Sequence, residues 1–347
     1  MKTENTDKKR PLLGCIRWDA MSAKTDCEKK SLSPLKWHDR VPFFLRIDSE
    51  NEVSGDENTQ EIIDRQIILA KESGIDYWAF VSSPEKDPDE MEVYALRRYL
   101  ASEHKSGLGF CAILHKYVPS EESWRERVEQ LISWFKEPTY VRVMGDRPLV
   151  YIFLVDDMEE AYGEGEDTQK AINLLREEAV KAGLGNPYIT VFCGSGADKA
   201  VQQIKRYGLD ALSAYMHIHS GEPEQGYPFE VLANNTLASW DYFKQMYPKI
   251  IPCVTLGFDP RCRWENPPPW GAGKSCYYEQ GTPEQLADLI GKGLEYAAEN
   301  SESCEAQSII VYAWNEFCEG GWLCPTHAQG TQRLDAISKM LNGQMAL

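Results

Sequence analysis

Basic charge is in short supply in this chain of 347 residues: Lys and Arg number 37 against 54 Asp and Glu, for a net charge of -17. Such a field repels phosphate backbones and anionic membranes, and no basic cluster interrupts it, so neither nucleic acid nor a membrane is an expected partner. Long hydrophobic runs are also missing. The opening segment, Met1 to Arg10, is charged throughout and leads into only a short apolar stretch, which is neither a secretory signal nor a membrane span. No linker or low-complexity tract breaks the chain, so one domain over residues 1–347 is expected. Paired CxxC motifs are absent, which removes the usual signature of a zinc site. Of the ten cysteines, Cys15, Cys111, Cys193 and Cys253 fall inside apolar runs, where a free thiol acts as a small hydrophobe. Free thiols without a signal fit a reducing cytoplasm, although a processed periplasmic or secreted form would look the same. The expectation is a cytoplasmic protein with no metal and no cofactor; its oligomeric state is not legible.

What the chain does contain is an alternation of strand-length apolar runs with helical patterns. The runs are Leu12 to Arg17, Asp76 to Val81, Leu108 to Leu114, Pro148 to Leu154, Pro187 to Cys193, Leu209 to Tyr215, Ile250 to Leu256 and Ser308 to Trp314. Repeated βα units imply a parallel sheet, and eight of them imply an α/β fold closed as a (β/α)8 TIM-type barrel. Helix punctuation agrees: Glu61 to Ser73 stops at Gly74, Thr282-Pro283-Glu284-Gln285 is a capping box with proline at the first helical position, and Gly183 and Gly208 end two more helices. Residues 140–147 read as a small hairpin ahead of the fourth strand. Two connections exceed ordinary joints, residues 18–40 after the first strand and 259–281 after the seventh. Both lie on the side where a barrel builds its site.

Directly after the last run comes Trp314-Asn315-Glu316-Phe317-Cys318-Glu319-Gly320-Gly321. Two Glu three apart share a face if the chain turns helically there, with Cβ atoms roughly 5–6 Å apart. Like charges that close resist joint ionisation, so one pKa rises and the other stays low, which separates a general acid from a base or nucleophile. A glycosidase needs that division of labour. In isolation an E-x-x-E more often caps a turn in solvent. Here Trp314, Phe317 and Trp322 surround the acids, and Gly320-Gly321 is expected to let the backbone approach a ligand closely.

Further polar groups fall at strand ends: Arg17, Trp18 and Asp19; His115, Lys116 and Tyr117; Asp156 and Asp157; Tyr215, His217 and His219; and Asp259 with Arg261. Trp18, Asp19, His115, Tyr117, Tyr215, Asp259 and Arg261 are the substrate-binding candidates, since the carboxyl ends of barrel strands carry the site. His217-x-His219 has metal spacing but no third ligand pattern, so ordinary hydrogen-bonding histidines are the better reading. Trp264 and Trp270, in the proline-rich seventh loop, are candidate sugar platforms; Trp78 is another. Trp314, Asn315 and Trp322 complete the candidate set beside the acids.

The Trp-Asn-Glu-x-x-Glu-Gly block resembles the WbsX-like proteins and, more distantly, the endo-α-mannosidases of glycoside hydrolase family 99. Arg65 to Asp76, Val143 to Val150 and Gly257 to Arg261 are similar as well, so the resemblance covers most of the chain, with the Asn-Glu-x-x-Glu-Gly block its specific part. It implies a retaining mechanism in which Glu316 draws a proton from the substrate's own 2-hydroxyl and Glu319 protonates the leaving oxygen, then activates water. Asn315 would position a nearby hydroxyl. The implied substrate is an α-linked, mannan-like oligosaccharide or polysaccharide. This chain departs from family 99 at Cys318, where histidine is usual, at Cys324, where glutamate is usual, and at the first strand, which reads Gly14 to Asp19. Two alternatives stand beside hydrolysis: a WbsX-like glycosyltransferase of polysaccharide biosynthesis, although no Asp-x-Asp or phosphate-cradling glycine loop is present, and a non-catalytic carbohydrate-binding barrel.

Overall fold

The computed structural model describes residues 10–19, 21, 27–84, 94–194, 196–218, 221–269, 271 and 273–344. Its core is a parallel sheet of eight strands: Leu12–Arg17, Tyr77–Ser82, Gly109–Leu114, Arg147–Ile152, Tyr188–Phe192, Ala211–Ser213, Cys253–Thr255 and Ser308–Tyr312. Each pairs with the next in chain order except the sixth with the seventh, and the first pairs with the eighth through Leu12↔Ser308 to Cys15↔Val311. The sixth and seventh strands are short, and the ring is nearly closed between them by a parallel bridge from Leu212 to Ile250. This is a (β/α)8 barrel, as the eight apolar runs predict.

The strands form where both faces are buried. In the eighth, Ile309, Ile310 and Val311 are fully buried, and each such side chain contributes roughly 1.5–3 kcal/mol by leaving water. The outer helices use the expected punctuation. Thr59 caps the helix Gln60–Glu72, and Thr282 with Gln285 closes a capping box on Pro283–Glu299. Gly208, in the left-handed region at φ 62°, ends the helix Ala197–Tyr207. The hairpin before the fourth strand is present, with Arg142–Val143 antiparallel to Arg147–Pro148.

Both long connections contain structure that the sequence does not announce. Within residues 18–40 lie the short helix Cys27–Leu32 and the 3-10 helix Leu35–Arg40. Within 259–281 lie the helix Arg261–Glu265 and the strand Tyr277–Tyr278, which pairs with Gly226–Tyr227. A hairpin, Arg46–Ser49 with Glu52–Ser54, follows the first connection. Among the described residues no helix is long and apolar enough to cross a membrane.

Candidate active site

Beyond the eighth strand the chain makes a tight antiparallel hairpin, Asn315–Glu316 against Gly321–Trp322, around the 3-10 turn Phe317–Glu319. This hairpin places both acids at the carboxyl end of the barrel. Gly320 ends the turn at φ 85°, and a Cβ on it would lie 2.6 Å from the amide nitrogen of Asp259. A Cβ on Gly321 would meet the Tyr312 ring, and one on Gly257 would meet the Gly320 carbonyl. The two glycines let the hairpin close against the backbone at Gly257–Asp259 and the Tyr312 ring. Two hydrogen bonds lock it: the Asp259 amide donates to the Glu319 carbonyl at 2.6 Å and Gln280 Nε2 to the Gly320 carbonyl at 3.0 Å.

The acids stand in different surroundings. Glu316 is almost fully buried, and its Oε1 accepts a 2.7 Å hydrogen bond from the Tyr215 hydroxyl. Its Oε2 has no hydrogen-bond partner among the described residues and lies 3.8 Å from Arg263 Nη2. Burial, and then the charge of Glu319, push the Glu316 carboxyl from its ordinary 4.5 up to about 8. Glu319 is about a fifth exposed. It accepts from Arg263 Nη1 and from the Tyr312 hydroxyl. Burial, reinforced by Glu319 and Glu316, holds the Tyr312 phenol well above its usual range.

Arg263 is the hub. Besides Glu319 it donates from Nε and Nη2 to Glu28 Oε1 at 3.0 and 2.7 Å. Burial alone would lower its pKa, but the charges of Glu28 and Glu319 raise it well above its usual value. Glu28 is pushed upward by burial, against the pull of Arg263. One guanidinium thus faces three carboxylates, which leaves a proton on the cluster near neutral pH. Arg263, Glu28 and Tyr312 carry no signature in the sequence. Arg263 lies two residues past the predicted Arg261, Glu28 lies inside the first long connection, and Tyr312 is the polar-tipped member of an apolar run.

The sequence candidates divide into three groups. Linked to the acids are Tyr215 directly, Trp18 through Arg263, and His115 through Phe153 and Tyr215. The Arg263 guanidinium lies 6.0 Å from the partly buried Trp18 ring. His115 packs at a tilt on Phe153 at 4.8 Å, and Phe153 meets Tyr215 at 4.9 Å and Tyr215 meets Tyr312 at 5.4 Å, both edge to face. This aromatic chain joins the ends of the third, fourth, sixth and eighth strands.

A second group works beneath the site. Trp314 and Trp322 are fully buried and offer no ring face to a sugar, contrary to expectation. The Trp314 indole donates to Gln66 Oε1 at 2.8 Å, which also accepts from buried Arg17 at 2.6 Å, while Arg17 pairs with Glu57 at 2.9 Å. Trp322 is sandwiched by Arg333 at 3.8 Å and Arg40 at 5.9 Å. Asn315 is likewise buried; its Oδ1 accepts from the Trp18 amide at 3.0 Å and its Nδ2 donates to the Trp18 carbonyl, fastening the first strand to the eighth rather than facing a hydroxyl. Asp19 is buried and accepts from the Ala95 amide at 2.6 Å. Asp259 is buried between Arg40 and Arg261, whose Nε and Nη2 donate to it at 2.7 and 2.8 Å. Burial would raise its pKa, but the two arginines bring it below the ordinary value. Trp78 is buried against Trp314 at 5.1 Å. Cys318 is buried with its thiol on the Glu28 carbonyl at 3.3 Å, and Cys324 is buried near Gln66. Both departures from family 99 therefore serve packing here.

The third group lies apart. Tyr117 packs on Trp124 and Tyr162, which line a cleft of about 630 Å³ between the helices Glu121–Phe135 and Glu166–Lys181. None of the acids' neighbours lines that cleft. His217 meets Phe243 of the helix Phe229–Met246 edge to face. Trp264 packs on Tyr277, on the far side of the short helix from Arg263. Trp270 and His219 lie outside the described residues. Among the described residues no group of three His, Cys, Asp or Glu is arranged to hold a metal ion.

The parallel eight-strand barrel is a fold shared by solved structures of glycoside hydrolases. A "Glycoside hydrolase-like protein" is similar with a TM-score of 0.65 at 11% identity, covering 96% of this chain and 94% of its own. The GH99 endo-alpha-mannosidase from Bacteroides thetaiotaomicron in complex with BIS-TRIS-Propane gives 0.58 at 13% identity, covering 97% and 98%. A second structure of a GH99 endo-alpha-mannosidase from that organism gives 0.51 at 14% identity over 84% and 82%. A search of curated proteins found no match. The family model described as "Glycosyltransferase WbsX" matches residues 109–337. The chain belongs to that family.

Proposed function

We propose that the protein hydrolyses a glycosidic bond in an α-linked glycan, with Glu316 and Glu319 as the working pair. The observation that carries this reading is the contrast between the two acids: a buried carboxyl raised to about 8 beside a more exposed carboxylate on an arginine. A pair that holds one proton at neutral pH has both the acid and the base that glycoside cleavage requires. In the resting protein the proton of the pair stands on Glu316; cleavage requires substrate binding to shift it to Glu319, the two acids titrating as a pair. Glu319, nearer the mouth, then protonates the leaving oxygen while ionised Glu316 accepts the proton of the substrate's 2-hydroxyl, which attacks the anomeric carbon; in the second step Glu319 takes a proton from the attacking water and Glu316 returns its proton to the 2-oxygen as the anhydro ring opens. The net course is retention. Mannose remains the analogy for the sugar.

Leaving-group dependence tests these roles. Glu319→Gln should lose about 10²–10⁴-fold on a natural oligosaccharide and much less on an aryl glycoside whose leaving group needs no proton. Glu316→Gln should be crippled on both. The reverse pattern would exchange the two roles.

The family's description favours a second reading, sugar transfer in polysaccharide assembly. Product formation that depends on an added nucleotide sugar would select it.

A further inference from the structure

Glu28 is joined to the acid pair at two points. It sits on the short helix Cys27–Leu32, in the connection after the first strand, and is only 2% exposed. Its Oε1 accepts from Nε and Nη2 of Arg263 at 3.0 and 2.7 Å, while Nη1 of the same guanidinium serves Glu319. Its backbone carbonyl accepts at 3.3 Å from the thiol of Cys318, which stands between the two acids in the chain. Two charge-assisted hydrogen bonds on one oxygen favour an ionised Glu28, and Glu316, whose Oε2 has no hydrogen-bond partner among the described residues, is left to hold the proton. Tyr215 on Glu316 and Tyr312 on Glu319 complete the titratable groups of the cluster. The strand Glu52–Ser54 and the 3-10 helix Leu35–Arg40 also pack on the Glu28 helix, but their charges are turned elsewhere. Arg40 pairs with Asp259, Lys36 with Glu265 and His38 with the Ser33 carbonyl, while Asp39 and Glu52 are exposed. On the helix itself Lys29 reaches the Gly55 carbonyl and Lys30 is exposed.

Such an arrangement removes a difficulty in the chemistry. Arg263 binds the carboxylate that must carry the proton to the leaving oxygen, and a guanidinium opposes protonation of its own partner. Glu28 lessens that opposition: when Glu319 takes the proton, the buried cation keeps a carboxylate of its own and is not left uncompensated. We propose that Glu28 is a positioning residue for the reaction, holding the Nε–Nη2 edge of Arg263 so that the proton of the Glu316–Glu319 pair can pass to Glu319. The proposal rests on the hydrolase reading for its purpose, whereas the charge balance it describes belongs to the resting protein. It assigns the connection after the first strand a share in the chemistry, through a buried side chain that acts by way of Arg263.

A pH titration followed by difference infrared spectroscopy tests the charge balance without turnover, and pH–rate profiles on an α-linked oligosaccharide test its use. The protonated-carboxyl band that disappears in Glu316→Gln marks Glu316. In Glu28→Gln, which keeps the shape and loses the charge, the midpoint of that band should fall by on the order of one pH unit, the effect of a unit charge a few ångströms away in a partly screened site. The alkaline limb of the rate profile should move down with it, kcat should drop about tenfold, and KM should stay within about twofold of the native value. Glu28→Asp keeps the charge on a shorter arm, so its midpoint should stay in place while kcat falls, and this variant decides the matter if Glu28→Gln does not fold. A midpoint that stays in place in Glu28→Gln, a midpoint that moves in Glu28→Asp, or an unchanged kcat in Glu28→Gln would overturn the proposal. A native protein that cleaves no glycan would sink the hydrolase reading, and the infrared midpoints would still decide whether Glu28 sets the charge of the pair.

Discussion

The Tyr215 hydroxyl donates a 2.7 Å hydrogen bond to Oε1 of Glu316, joining the end of the sixth strand to the end of the eighth across the mouth of the barrel. The bond favours the ionised carboxylate and so opposes the rise that burial imposes on Glu316.

Tyr215→Phe should therefore raise the Glu316 pKa further. A pair that must hold one proton loses activity as pH climbs through its upper pKa, so the native rate profile should fall on the alkaline side near pH 8. In the variant that limb should move to higher pH, with kcat lowered about tenfold, the scale of one hydrogen bond to a charged group. Paired pH–rate profiles check both effects.

The same proton makes Glu316 costly to stability. Below pH 4.5 the carboxyl is neutral whether the chain is folded or not; between 4.5 and about 8 the unfolded chain ionises while the folded one retains its proton, so stability falls as pH rises through that window. The loss is on the order of a few kcal/mol. Glu316→Gln should be more stable than the native protein at pH 8 and indistinguishable from it below pH 4.5. Thermal midpoints across pH measure the difference.

Arg263→Ala removes the one guanidinium that faces Glu28, Glu316 and Glu319. Breaking a buried pair from one side costs about 3–5 kcal/mol. The deficit should be largest above pH 8 and shrink on acidification, because Glu316 then becomes neutral and burial shifts Glu28 in the same direction. A denaturant titration at pH 8 and pH 5 reads it directly; a deficit independent of pH would mean that Arg263 acts by packing alone.

Much of this architecture is legible in the sequence, for a physical reason. Strands buried on both faces must be continuously apolar, and runs such as Ser308 to Trp314 show it plainly, so strand number and order follow. Boundaries drift where the barrel is weakest. Leu209 to Tyr215 shrinks to Ala211–Ser213, because the sheet closes there on the single Leu212–Ile250 bridge. The acids are legible because they are neighbours in sequence. Their partners are not, since Arg263 reaches Glu319 across 56 positions and Glu28 across 235. Alternation on one short helix decides between Arg261 and Arg263, and nothing in the local sequence says which of the two faces inward. Tryptophan is ambiguous for a related reason: the same ring that stacks on a sugar also fills a core, and Trp314 and Trp322 do the latter.

The measurement that bears most directly on the account is release of sugar from a panel of α-linked oligosaccharides and polysaccharides, neutral and acidic, by the native protein beside Glu319→Gln, with products separated chromatographically and no nucleotide sugar present. The account predicts products from the native protein alone. Silence from the native protein across the panel, or equal release by both proteins, would contradict it.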